Sequence, residues 1–151
     1  MENKISKKSN SNAIIVKNDV KNYILDSFAL MAYFQEEKGS SFVKSLLEKA
    51  SKELCNLYFC VINLGEVLYI IEKEKGLLSA QLALSRIKEL PVKIIVVGEE
   101  ITLKAAHIKA NFPVSYADCF AAAVSIIKNA TLVTGDPEFK TLENLVNISW
   151  I

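Results

Sequence analysis

The chain has 151 residues, 51% apolar and 23% charged, the size and composition of one compact globular domain, which excludes disorder throughout. Eighteen basic residues against 17 acidic leave a formal charge of +1. No overall field therefore marks a nucleic-acid or membrane partner, and any such partner has to be recognised locally.

Residues 1–22 carry five lysines against Glu2 and Asp19, with several Ser and Asn. That composition describes a solvated, flexible, basic tail, so the folded domain is expected over 23–151. The tail lacks the apolar core of a secretion signal. Its one apolar run, Ala13-Ile14-Ile15-Val16, reads either as part of the tail or as a short extra strand. Tyr23-Ile24-Leu25 opens the domain as a β-type run, followed by a helix from about Ser27 to Gln35. A second helix follows Gly39, where Val43, Leu46, Leu47 and Ala50 recur at i, i+3, i+4 and i+7. A strand is expected over Leu57–Ile62. The next helix opens at Asn63-Leu64-Gly65-Glu66, buries Val67, Leu68 and Ile71, and breaks at Gly76. Residues 77–90 read as a helix stopped by Pro91, and Lys93–Val97 as a buried-type strand.

Glu99–Asn111 is helical through Ile101, Ala105 and Ile108, and Pro113 separates it from a further helix over about Ser115–Lys128. That helix is apolar almost all round, so it should lie at the centre of the domain. It feeds a strand at Thr131–Thr134, a turn at Gly135-Asp136-Pro137, and a last strand near Asn147–Trp150. Strands alternating with helices predict an α/β domain of three layers, α/β/α, with a mostly parallel sheet of four or five strands. The longest nearly apolar stretch, Cys119–Ile127, is far short of the roughly 20 residues that span a bilayer, so no membrane partner is expected. Three cysteines, at 55, 60 and 119, form neither a CxxC pair nor a Cys/His cluster. Buried thiols in a reducing, cytoplasmic setting are expected.

The chemistry rests on Asp26, Glu66, Asp118 and Asp136. Each sits at a helix start and has a local explanation: Asp26 as an N-cap, Asn63-x-x-Glu66 and Ser115-x-x-Asp118 as capping boxes, Asp136 as an N-cap with proline at N1. Their joint position supplies a second explanation. Helices that follow strands of a parallel sheet begin at the strands' carboxyl ends, which puts Asp26, Glu66 and Asp136 along one edge. The helix carrying Asp118 runs antiparallel to the strand it feeds, so its N-terminus returns to that same edge. Four carboxylates brought together repel unless a cation compensates them, and oxygen donors suit Mg²⁺ or Mn²⁺. Such an ion activates water for attack on phosphorus without a protein nucleophile. The single histidine, His107, lies mid-helix and far in sequence from every acid, and reads as structural. Arg86 is the only arginine, so bidentate phosphate clamping is scarce and backbone contacts fall to lysines.

Four segments carry a resemblance that covers nearly all of 23–151: Tyr23-Ile24-Leu25-Asp26-Ser27-Phe28-Ala29-Leu30, Asn63-Leu64-Gly65-Glu66-Val67, Tyr116-Ala117-Asp118-Cys119-Phe120-Ala121-Ala122-Ala123 and Leu132-Val133-Thr134-Gly135-Asp136-Pro137-Glu138-Phe139. In this set the chain resembles the PIN-domain nucleases, in particular the ribonuclease toxins of VapBC toxin–antitoxin pairs. The resemblance implies a Mg²⁺- or Mn²⁺-dependent endoribonuclease acting on RNA, with Asp26, Glu66, Asp118 and Asp136 as its acidic, metal-holding site. It also implies supporting hydroxyls at Ser27 and Thr134, for which local capping or turn bonding is the alternative. An antitoxin protein is the implied partner, and family members commonly form homodimers. Phe28, Met31, Tyr33 and Phe34 either supply part of an antitoxin groove or belong to the core. The leader of about 22 residues before the first strand departs from the usual family start.

Three other readings compete with this one. A catalytically inactive PIN scaffold that binds RNA or a protein would dispense with the acids, yet all four are present. A Mg²⁺-dependent phosphatase of the Asp-nucleophile type needs Asp-x-Asp after the first strand, and the third position here is Phe28. A receiver domain needs an acceptor Asp after the central strand, where Val97 is followed by Gly98 and Glu99.

Overall fold

The computed structural model describes residues 19–151, so most of the basic tail, including the Ala13–Val16 run, lies outside the described residues. Within them, five strands form the sheet: β1 (Lys21–Leu25), β2 (Cys55–Cys60), β3 (Lys93–Ile95), β4 (Thr131–Thr134) and β5 (Ile148–Trp150). Their order is β3-β2-β1-β4-β5 and every pairing is parallel. The α/β expectation holds, with a sheet parallel throughout. The first strand begins at Lys21, two residues before the expected boundary, because Lys21 and Asn22 pair with Cys55 and Asn56.

Among the described residues, six α-helices cover the sheet: α1 (Ser27–Phe34), α2 (Ser40–Ser51), α3 (Val61–Lys75), α4 (Leu77–Glu89), α5 (Glu99–Asn111) and α6 (Tyr116–Ile127). Side chains alternate along the strands, so neighbouring residues serve opposite cores. Ile24 and Leu132 face α5 and α6, whereas Leu25 and Val133 face α1, α2 and the inner residues Val67 of α3 and Ile87 of α4. Two apolar cores flank one sheet, which gives the three layers. The all-round apolar helix is central as expected: residues 118–125 of α6 are all buried. A buried apolar side chain of leucine or phenylalanine size stabilises by about 1.5–3 kcal/mol, so these two cores supply the main drive to fold.

Other boundaries differ from the sequence pattern as well: β2 begins at Cys55, two residues before the expected Leu57, where it pairs with Lys21. β2 ends at Cys60, not Ile62, and α3 starts at once at Val61. β3 stops at Ile95, the partner of Cys60; Val96 has no strand left to pair with and is exposed. The turn after Gly135 continues as a 3-10 helix, Pro137–Leu142. Residues at i and i+3 stack on one side of such a helix, and here those residues are Phe139 and Leu142, both fully buried in the α6 core. Gly39, before α2, has φ +92°, the left-handed region that favours glycine.

The topology positions the site. From β1 the chain moves one way to β2 and β3, then crosses through α5 and α6 to reach β4 on the other side of β1. The carboxyl ends of β1 and β4 therefore flank the point where strand order reverses, the place where open parallel sheets hold ligands.

Candidate active site

Asp26 follows β1 directly and caps α1. Its Oδ1 accepts the Ala29 N–H at 2.7 Å, and its Oδ2 accepts the hydroxyl of Thr134, the last residue of β4. Its own N–H donates to the Val133 carbonyl at 3.3 Å. These bonds lock a carboxylate that is only 1% exposed across the β1–β4 seam. Thr134 also accepts the Asp136 N–H at 3.0 Å, and Asp136 in turn caps the 3-10 helix, its Oδ1 taking the Glu138 N–H at 2.9 Å. One buried hydroxyl thus orients two acids.

The other acids arrive on helices. Glu66 accepts the hydroxyl of Ser27. Asp118 lies in the first turn of α6, where the N-cap Ser115 accepts its N–H at 3.1 Å and donates to its Oδ2 at 2.7 Å. Asp26, Glu66, Asp118 and Asp136 all line one cleft of about 320 Å³, together with Ser27 and Ser115. Capping and convergence are therefore compatible: Asp26 and Asp136 cap helices whose starts the topology brings to the same edge.

Two residues outside the expected site set, Glu138 and Asn63, belong to this site as well. Glu138 joins the cleft, accepting the Ser115 N–H at 3.3 Å; its carboxylate oxygen, with one each from Asp118 and Asp136, forms a set lying within 4.8 Å of one another. Its only signal in the sequence is its place two residues after Asp136. Asn63 does not cap α3, whose N-cap is Cys60. It is fully buried in the first turn and donates to Ser27 Oγ and to the Ala117 carbonyl, both at 3.3 Å, so it ties together the starts of α1, α3 and α6. Its Oδ1 has no hydrogen-bond partner among the described residues.

Burial dominates the electrostatics. It pushes the Asp26 carboxyl up from 3.8 to about 7, against the Thr134 and Ala29 hydrogen bonds, and the charges of Asp118 and Asp136 add to the rise. Asp118 is pushed up to about 6, again chiefly by burial, with Asp136, Glu66 and Glu138 contributing and the Ser115 bond opposing. Among the described residues that line the cleft none is basic, so no cationic side chain of that lining offsets this crowding. An uncompensated, all-oxygen acidic set fits a hard divalent cation.

His107 lies on the exposed face of α5 and lines no part of the cleft, and Arg86, on α4, lines no part of it either. Cys55, Cys60 and Cys119 are free and buried, as expected. Of the aromatic and apolar residues of α1, Phe28 is exposed at the cleft, whereas Met31, Tyr33 and Phe34 pack partly against the α1–α4 core.

The sequence model of the family described as PIN domain matches residues 23–145. The chain belongs to the PIN-domain family. Solved toxin–antitoxin structures share its fold. VapBC2 from Rickettsia felis, bound to a DNA fragment from its promoter, aligns with a TM-score of 0.67 at 22% identity, covering 84% of this chain and 96% of that one. DNA-bound VapBC from Salmonella typhimurium aligns at 0.67 and 15% identity over 85% and 97%. VapC20 from Mycobacterium tuberculosis, described as a Sarcin-Ricin loop cleaving toxin, aligns at 0.62 and 14% identity over 79% and 93%. No curated protein sequence matches the chain significantly. Among the described residues, no helix of this PIN domain is long and apolar enough to cross a membrane.

Proposed function

We propose that this PIN domain is a Mg²⁺- or Mn²⁺-dependent endoribonuclease, the toxin of a VapBC-type pair, acting in the cytoplasm. The observation that carries the reading is the convergence of Asp26, Glu66, Asp118, Asp136 and Glu138 on one cleft with no basic residue among its lining. Membership of the PIN family and the likeness to VapC20, by its description a Sarcin-Ricin loop cleaving toxin, support the same reaction class.

In this reading the five carboxylates hold the ion, with Asp118, Asp136 and Glu138 already grouped closely enough to share one. When bound, such an ion supplies charge neutralisation at the phosphodiester and activation of the water that attacks phosphorus. The protein's own contribution is orientation. Thr134 and the Ala29 N–H aim Asp26, Ser27 aims Glu66, and Ser115 aims Asp118. These bonds fix the acids before substrate arrives, so little reorganisation remains at the moment of reaction. No side-chain nucleophile is required: Cys119, next to Asp118, is fully buried with its thiol pushed up chiefly by burial.

The antitoxin belongs to the same proposal. Met31, Phe34, Ile71, Leu82 and Ala83 line one part of a groove of about 260 Å³ between α1, α3 and α4, which Gln35, Lys75, Ser79 and Arg86 complete; an amphipathic partner segment with an apolar face and acidic flanks suits it.

The test is cleavage of a mixed RNA pool by purified protein in Mg²⁺ or Mn²⁺ and in EDTA, with Asp26→Asn and Asp118→Asn in parallel. The reading expects cleavage that EDTA and either substitution abolish. No cleavage of any pool, with Mn²⁺ binding unchanged by those substitutions, refutes the site and leaves a binding scaffold.

A further inference from the structure

The acidic cleft has an apolar side as well. Phe28, Met31 and Ile70 line it together with the carboxylates. Phe28 is the odd residue of its helical turn: Ser27, Ala29 and Leu30 are buried, yet the Phe28 side chain is 42% exposed. What sets this ring apart from the other exposed apolar side chains is its place at the mouth of the acidic cleft, where a ligand of that cleft can cover it.

The ring also touches the turn that bears Asp136. It packs on Gly135, the residue between Thr134 and Asp136, so closely that a Cβ there would lie 2.9 Å from Phe28 Cζ and 3.0 Å from its Cδ1, with the ring's Cε1 nearer still. Gly135 is not in the left-handed region, since the positive-φ glycines are Gly39 and Gly76. A side chain at 135 would therefore push the ring from its present place, a constraint set by the ring and not by the backbone. The aromatic face lies between the start of α1, next to Asp26, and the turn that bears Asp136.

A ligand for this cleft must join an anionic centre, brought to the carboxylates by a cation, to a flat apolar group lying beside it. We propose that Phe28 is a nucleobase-stacking platform that seats one unpaired base of the RNA next to the phosphodiester to be cut. The inference rests on the nuclease reading above and adds where the strand lies. Stacking tolerates every base because each has a π-face, so the ring sets the position of the strand and not its sequence. It also requires a base free of its own pair, which favours single strands and loops over duplex RNA. At about 320 Å³ the cleft lies at the small end of ligand pockets. A helical protein segment, about 10 Å across, suits it less well than a nucleotide.

The test uses short single-stranded RNAs that the wild-type protein cleaves, each with one nucleotide replaced by an abasic residue, position by position. Cleavage by wild type, Phe28→Leu, Phe28→Tyr and Asp118→Asn is followed in Mn²⁺, with KM and kcat separated and thermal melts confirming the fold. For wild type, one abasic position beside the cut is expected to lower kcat/KM by about 5- to 150-fold, the range of aromatic–base stacking. Phe28→Leu should show a similar loss on intact RNA and no further loss at that abasic position, and Phe28→Tyr should restore the wild-type pattern. If Phe28→Leu retains the wild-type abasic penalty, the proposal falls. If its RNA kinetics are unchanged, the ring is left as a contact for a protein partner and the proposal falls too. In both cases cleavage lost in Asp118→Asn keeps the nuclease reading intact. Absence of cleavage by wild type on every RNA overturns both.

Discussion

Replacing Asp26 by asparagine should stabilise the ion-free protein at mildly alkaline pH while abolishing cleavage. The folded chain raises the Asp26 carboxyl from 3.8 to about 7, chiefly by burial. The protonated form is therefore the one the fold favours. As pH climbs from 3.8 the unfolded chain releases this proton while the folded chain keeps it, so stability declines over the window from 3.8 to about 7 and the loss is complete above it. At about 1.4 kcal/mol per tenfold change in proton affinity, the charged carboxylate costs on the order of 4 kcal/mol. Asparagine keeps the shape and removes the charge. Its Oδ1 can still accept the Ala29 N–H, and its amide can donate to Thr134 Oγ1, reversing the present bond. Allowing about 1–2 kcal/mol for imperfect rearrangement, the net gain at about pH 8 is roughly 2–3 kcal/mol. For a domain of this size that is roughly 5–10 °C in Tm.

The assay is thermal unfolding by circular dichroism in EDTA, from about pH 5 to about pH 8. The Tm advantage of Asp26→Asn should shrink steadily on acidification, since the electrostatic cost falls away as pH approaches 3.8. Mn²⁺ should then raise the Tm of wild type and leave the variant nearly unchanged, because binding to the folded state alone stabilises it. A variant less stable than wild type at about pH 8 in EDTA, or an advantage independent of pH, refutes the account of Asp26 as a strained buried carboxylate.

Thr134→Val removes the donor that holds the Asp26 carboxyl down, so the acid limb of the pH–rate profile should move to higher pH, with activity lost more at about pH 6.5 than at about pH 8.5. A profile that merely drops without moving would count against Thr134 as the residue that tunes Asp26. Asn63→Ala removes two buried donors that join α1, α3 and α6. It should cost about 1–3 kcal/mol in a thermal melt and slow cleavage at saturating RNA, and wild-type values in both would show that this amide does not brace the site.

The elements of this fold were legible because their signals are local. The i, i+3, i+4, i+7 stripe of α2, the all-round apolar α6 and the stops at Gly76 and Pro91 each need only a few neighbouring residues to read. Boundaries were less legible where pairing decides them. Nothing local ends β3 at Ile95 and leaves Val96 outside; that follows from β2 turning into α3 after Cys60. The 3-10 helix at Pro137–Leu142 likewise exists because Phe139 and Leu142 reach the α6 core.

By itself the sequence determined the mostly parallel α/β class, the helix-start positions of the acids and the distance in sequence of the single histidine, His107, from all of them. Chain direction in a parallel sheet then dictates that helix starts meet strand ends, which is why the convergence of Asp26, Glu66, Asp118 and Asp136 followed from order alone. Tertiary structure decided what depends on distance between residues remote in sequence. It placed Glu138 beside Asp118, set Asn63 across three helix starts, joined Thr134 to Asp26 and wedged Phe28 on Gly135. It also decided burial, and burial, more than the neighbouring charges, is what raises the proton affinity of Asp26 and Asp118. Desolvation is a property of the finished packing, and no window of sequence contains it.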